Sequence, residues 1–99
     1  RMENRIELKF GVSTQDLTGN SLGRKTFEVQ VKPYLKENEE NVVVIPSEID
    51  DIGSSFIQGI YTFLKEKYGK SEALKIMKLD CDKQTIIEKI EKSIKAYGI

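Results

Sequence analysis

Ser54 and Ser55 stand side by side after an acidic stretch, Glu48, Asp50 and Asp51, and just before an apolar helical stripe. Those residue types allow several kinds of chemistry. A serine at a helix start accepts a hydrogen bond from a backbone N–H two or three residues on, which caps the helix. The same hydroxyl, exposed, can be phosphorylated, and a phosphate there adds about −1.5 to −2 charges. The two roles are compatible: the serine caps when bare and switches when modified. The N–H groups of Gly53, Ser54 and Ser55 would also suit an anion, because helix starts carry unpaired donors.

The carboxylates invite a metal or acid–base reading, since ligands of open α/β sheets sit beyond the carboxyl ends of strands. Composition argues against it. The 99 residues include no histidine and one cysteine, Cys81. The commonest general base and metal ligand is therefore missing. A single thiol makes neither an internal disulfide nor a thiolate zinc site. Asp50, Asp51, Ser54 and Cys81 are the only catalytic candidates, and no histidine activates them. No enzyme activity, metal or cofactor is expected, and the acids read as a solvated loop that favours the next helix start. Gly69-Lys70-Ser71 ends like a phosphate-binding loop. Leu64 stands where that loop needs its first glycine, and a helix leads in. The tripeptide reads as a helix stop and turn.

Sixteen basic residues balance sixteen acidic ones. A nucleic-acid binder normally carries a basic excess, so no nucleic-acid partner is expected. Lys83, Lys89, Lys92 and Lys95 interleave with Glu88 and Glu91 and read as a solvated face, with Glu88 to Lys92 and Glu91 to Lys95 at i,i+4. No apolar run reaches membrane-spanning length, and no signal-peptide core opens the chain. The lone Cys81 suits a reducing cytoplasm. Arg1, before Met2, reads as a cloning remnant, leaving a single domain over residues 2–99.

The elements that must position Ser54 follow from periodicity. Ile6, Leu8 and Phe10 alternate with polar residues and predict a strand, with an edge that could pair with a second copy. Residues 11–23 are loop chemistry. Residues 24–38 fit two patterns: Phe27, Val29 and Val31 alternate as in a strand, while Phe27, Val31, Tyr34 and Leu35 share a helix face. Pro33 would kink a helix begun near Ser21 or occupy the first turn of a short one, and the kinked helix is favoured. Residues 36–41 make a polar connection. The β-branched run at 42–45 predicts a central parallel strand buried on both faces. A loop over 46–53 leads to a helix from Ser54 or Ser55 to Tyr68, stopped by Gly69. A short strand over 75–79 follows, then a helix capped by Asp80 or Asp82 and running to Ala96. Strand and helix alternate, which predicts an α/β sandwich on a small, mostly parallel sheet.

The stretch VVVIPSEIDDIGSSFIQGI, residues 42–60, resembles the STAS-like domain family, a small family of unassigned function. Ser21-Leu22-Gly23-Arg24 resembles the small-residue and arginine start of that family's first helix, which supports the helix reading of residues 24–31. The family is similar in turn to the STAS domains of anti-sigma-factor antagonists and sulfate-transporter tails. In the antagonists an Asp-Ser-Ser/Thr-Gly-Leu segment opens the corresponding helix, and a partner kinase phosphorylates its first hydroxyl residue. Ser54 occupies that place here. Gly53 replaces the aspartate, and Phe56-Ile57 replaces Gly-Leu.

The resemblance implies a STAS-like fold and a bacterial or archaeal regulatory setting, with a non-enzymatic protein–protein interaction module. Its phosphorylation candidate is Ser54. Its binding-surface candidates are Asp50, Asp51, Gly53, Ser55 and Arg24. The implied partner is a histidine-kinase-type ATPase. The alternative expectation is a small ligand or nucleotide at the carboxyl edge of the sheet.

Overall fold

The structure, a computed structural model, describes residues 2–99. Arg1 lies outside them. In chain order the elements are β1 (Glu3–Glu7), β2 (Asp16–Leu17), α1 (Asn20–Thr26), β3 (Glu40–Ile45), β4 (Asp51–Ile52), α2 (Ser54–Tyr68), α3 (Lys70–Ile76), β5 (Met77–Cys81) and α4 (Gln84–Tyr97). A π-helical turn, Phe27–Val31, and a 3₁₀ turn, Lys32–Tyr34, extend α1.

Strands β1, β3 and β5 form an all-parallel sheet with β3 in the middle. Both crossovers step in the same direction across the sheet. The right-handed rule then puts their helices on one face. Ile6, Leu8, Val43, Ile45, Met77, Leu79 and Cys81 point into that side and join one core with Phe56, Ile57, Ile60, Leu64, Ile86 and Ile90. The expected double-sided burial of residues 42–45 is met at Val42, Val43 and Ile45, while Val44 is half-buried. Val43 and Ile45 belong to the core, whereas Val42 and Val44 lie outside it, on the other face.

Other boundaries also move. The first strand begins at Glu3 and ends at Glu7, although the Leu8 N–H still pairs with the Val44 carbonyl at 2.9 Å. Residues 24–31 are helical. Phe27 and Val31 are buried while Val29 is 60% exposed, which a strand with one buried face would not give. Pro33 has no N–H to offer the Val29 carbonyl, so a regular α-turn cannot be completed there. The chain widens into the π turn and then tightens into the 3₁₀ turn.

The strand expected over 75–79 is a helix end followed by a strand. Ala73 and Ile76 are buried at helical spacing, with Leu74 turned outward. Gly69, at φ +88°, separates α2 from α3 as the expected stop. Helix α4 starts at Gln84 with Lys83 as its uncapped N-cap residue. Asp80, expected to cap it, instead accepts the N–H of Cys81 at 2.9 Å. Glu88 with Lys92 and Glu91 with Lys95 are not among the ion pairs of the described residues.

Two glycines let α1 and α2 touch backbone to backbone. A Cβ on Gly23 would stand 2.7 Å from the Ile60 nitrogen, closer still to the Phe56 carbonyl. A Cβ on Gly59 would press on the Asn20 carbonyl. Gly19 meets Ser55 and Phe27 stacks on Phe63, so the two helices run side by side in the same direction. No helix of the described residues is long and apolar enough to cross a membrane.

Candidate functional site

The start of α2 rests on a small second sheet. Strands β2 and β4 pair in parallel, Asp16 beside Asp51 and Leu17 beside Ile52. The Gln15 carbonyl accepts the N–H groups of Asp50 and Asp51, at 2.7 and 3.3 Å. The Leu17 carbonyl accepts the Gly53 N–H at 2.9 Å. Leu17, Ile49 and Ile52 are buried beneath and anchor the loop in the core. The segments read as loops at 11–23 and 46–53 thus hold each other. Each contributes only two residues, too few to show a period.

This scaffold makes Gly53, with extended backbone, the N-cap residue of α2, and neither serine caps the helix. Ser54 and Ser55 already lie in the first turn. Half-buried Ser54 is the first helical residue. Exposed Ser55 turns its Oγ to the start of the neighbouring helix and accepts the Gly19 N–H at 3.1 Å. The capping expectation is corrected: Ser55 ties α2 to α1 and leaves its own helix uncapped. Gly53 is also corrected as an anion donor, because its N–H is committed to Leu17.

Asp50 and Asp51 flank this start, exposed, and each is paired with α4 or its N-cap. Lys83 Nζ lies 3.1 Å from Asp50 and also donates to the Ile49 carbonyl at 2.8 Å. Lys89 Nζ lies 2.6 Å from Asp51. The Asp51 carboxylate also accepts the Ile52 N–H at 3.0 Å. The Lys89 hydrogen bond, helped by the Ile52 N–H and the lysine's charge, holds the Asp51 carboxyl below its ordinary range. Lys83 and Lys89 are therefore not merely a solvated face. They neutralise the acidic loop and fix its position against α4. Contacts spanning 33 and 38 residues leave no mark in local sequence.

Arg24 is not part of this cluster. Its Nε donates to Asn20 Oδ1 at 2.7 Å, and its side chain lines an open groove of about 400 Å³ between α1 and α2 with Phe27, Gly59, Thr62 and Phe63. Glu48 faces a different depression, beside Phe10, Pro46 and Ile49. Cys81 is buried, and its sulfur accepts the Lys83 N–H at 3.4 Å. Among the described residues no three potential metal-ligating side chains cluster.

Two buried residues frame the fold through hydrogen bonds that the sequence reading missed, having placed Tyr61 in the apolar stripe of α2 and Asn41 in the polar connection over 36–41. Tyr61 donates its hydroxyl to the Met77 carbonyl at 2.6 Å, and burial pushes its phenol above the ordinary range. Asn41, fully buried, holds the amino end of the sheet. Its Nδ2 reaches the carbonyls of Lys36, Glu39 and Ile76, and its Oδ1 accepts from the Lys36 N–H and Asn4 Nδ2.

No family model matches the chain, and no curated protein or solved structure matches it.

Proposed function

We propose that the chain is a STAS-like, non-enzymatic regulatory module that docks a protein partner through the start of α2. The partner is a histidine-kinase-type ATPase of the cytoplasm. Asp50, Asp51, Gly53 and Ser55 supply the contact surface, and Ser54 is the phosphorylation site. Arg24 extends the surface along α1.

One observation carries this reading. Ser54 and Ser55 open a 15-residue helix whose first turn is held by the β2–β4 pair and by the Gly19 contact. A scaffold that holds this turn in place is what recognition requires. A phosphate on Ser54 would sit at the positive end of the helix dipole, where it is tolerated. It would also change the charge of the surface offered to the partner. The neighbouring acids are balanced by Lys83 and Lys89, so the bare surface recognises by shape and hydrogen bonding more than by net field.

Calorimetric titration with candidate ATPases tests the reading. A complex is expected with the unmodified chain. Ser54→Glu should weaken it by at least about tenfold, roughly 1.4 kcal/mol. A complex equally tight with Ser54→Glu removes the switch. The nucleotide-binding alternative has one donor fewer now that the Gly53 N–H is engaged. Stabilisation by a nucleotide in a thermal-shift screen would favour that alternative.

A further inference from the structure

All-parallel sheets are found almost only with both faces covered. Helices cover this one on one face only. The opposite face begins with Glu3 beside Glu40 and continues, row by row across β1, β3 and β5, with Arg5, Val42 and Lys78, then Glu7, Val44 and Asp80. Val42 is 3% exposed yet stands outside the core cluster, between the long side chains of Arg5 and Lys78. Val44 is half-buried. Arg5, Glu7 and Lys78 are exposed; Arg5 reaches Glu3 of its own strand at 3.2 Å, and among the described residues neither Glu7, Lys78 nor Asp80 has an ion-pair partner.

We infer that this face is covered by a second copy of the same chain. The charge rows choose the arrangement. A two-fold axis lying across the strands, midway between the two rows, sets each row over the other row of the partner copy. Arg5 then faces the partner's Glu7, Lys78 faces the partner's Asp80, and Val42 faces the partner's Val44. Each contact occurs twice, as a two-fold interface requires. A two-fold axis along the strands would instead set Arg5 over the partner's Lys78 and Glu7 over the partner's Asp80, like charge on like. Only the first arrangement closes a valine centre inside a ring of opposite charges, with the two sheets packed face to face. The α2 start, on the helical side, stays free.

Three strands about 4.8 Å apart and five residues long offer a face of roughly 14 by 17 Å. That is well below the ~800 Å² per partner of a standard stable interface. The dimer is therefore weak, with dissociation in the micromolar to millimolar range, and is weakened further by salt.

Sedimentation velocity of the intact chain, from micromolar concentrations to about 1 mM, tests the inference. The wild type should shift from monomer to dimer with concentration. Lys78→Glu should weaken the dimer at least about tenfold, because it faces Asp80 of the partner twice over. The swap Lys78→Glu with Asp80→Lys should restore most of that loss, and Val44→Asp should abolish association. All these positions lie outside the core, so circular dichroism of each variant should match the wild type. A wild type that stays monomeric at the highest concentration overturns the inference. So does a dimer as tight with Lys78→Glu as without it. Neither result bears on the α2 surface.

Discussion

Asn41 shows how much one buried amide can hold. Both ends of its carboxamide are used, and the partners come from β1, from the connection before β3 and from the end of α3. A buried donor or acceptor left without its partner costs about 1–3 kcal/mol. Asn41→Leu strands the Lys36 N–H and several carbonyls, and should lose about 2–4 kcal/mol in denaturant unfolding. A loss below about 1 kcal/mol would mean that the network rearranges freely. At this scale the sequence was least legible. Asn41 read as the end of a polar connection, since its partners lie up to 37 residues away. The serine pair was located but its bonding was not. Capping is judged from the residues that follow, whereas Ser55 reaches 36 residues back to Gly19.

At the scale of elements, period and composition carried further. The alternation of the first strand, the valine run of the third and the stripes of α2 and α4 all correspond to observed elements. Failures fall where a segment is short or double-coded. The π turn exists because Pro33 interrupts a helix whose residues also alternate, and α3 was hidden by its single exposed leucine, Leu74. Gly23 was read at the end of a loop and, by resemblance, in the small-residue start of a helix, and neither it nor Gly59 was read as a packing residue, yet together they set the approach of α1 to α2. Mid-helix glycine normally loses to alanine by roughly 0.5–1 kcal/mol. Here the order should invert. Gly59→Ala pushes a methyl into the Asn20 backbone and should lower stability by about 1–3 kcal/mol, read as a fall in thermal midpoint. A rise in midpoint would show that the helices separate at no cost.

The whole molecule has two unlike sides. Helices and core lie on one side of the sheet and carry the α2 start, and a charged, valine-centred sheet face lies on the other. The sequence indicated an α/β layering and a parallel sheet, but not that a single layer of helices would serve it. The valine run reads as doubly buried, and Val42 is buried on the second face, but periodicity does not say that Arg5 and Lys78 flank it there in place of a helix. The long-range lysine pairs to Asp50 and Asp51 belong to this scale too, since they exist only once α4 has packed beside β4. The central claim is that partners dock at the start of α2. Its most direct test is amide-resolved NMR of the chain during titration with a histidine-kinase-type ATPase. The account predicts shifts concentrated at residues 50–55 and at Gly19, reduced by Ser54→Glu. Binding that leaves those amides unmoved, and perturbs another face instead, would contradict it.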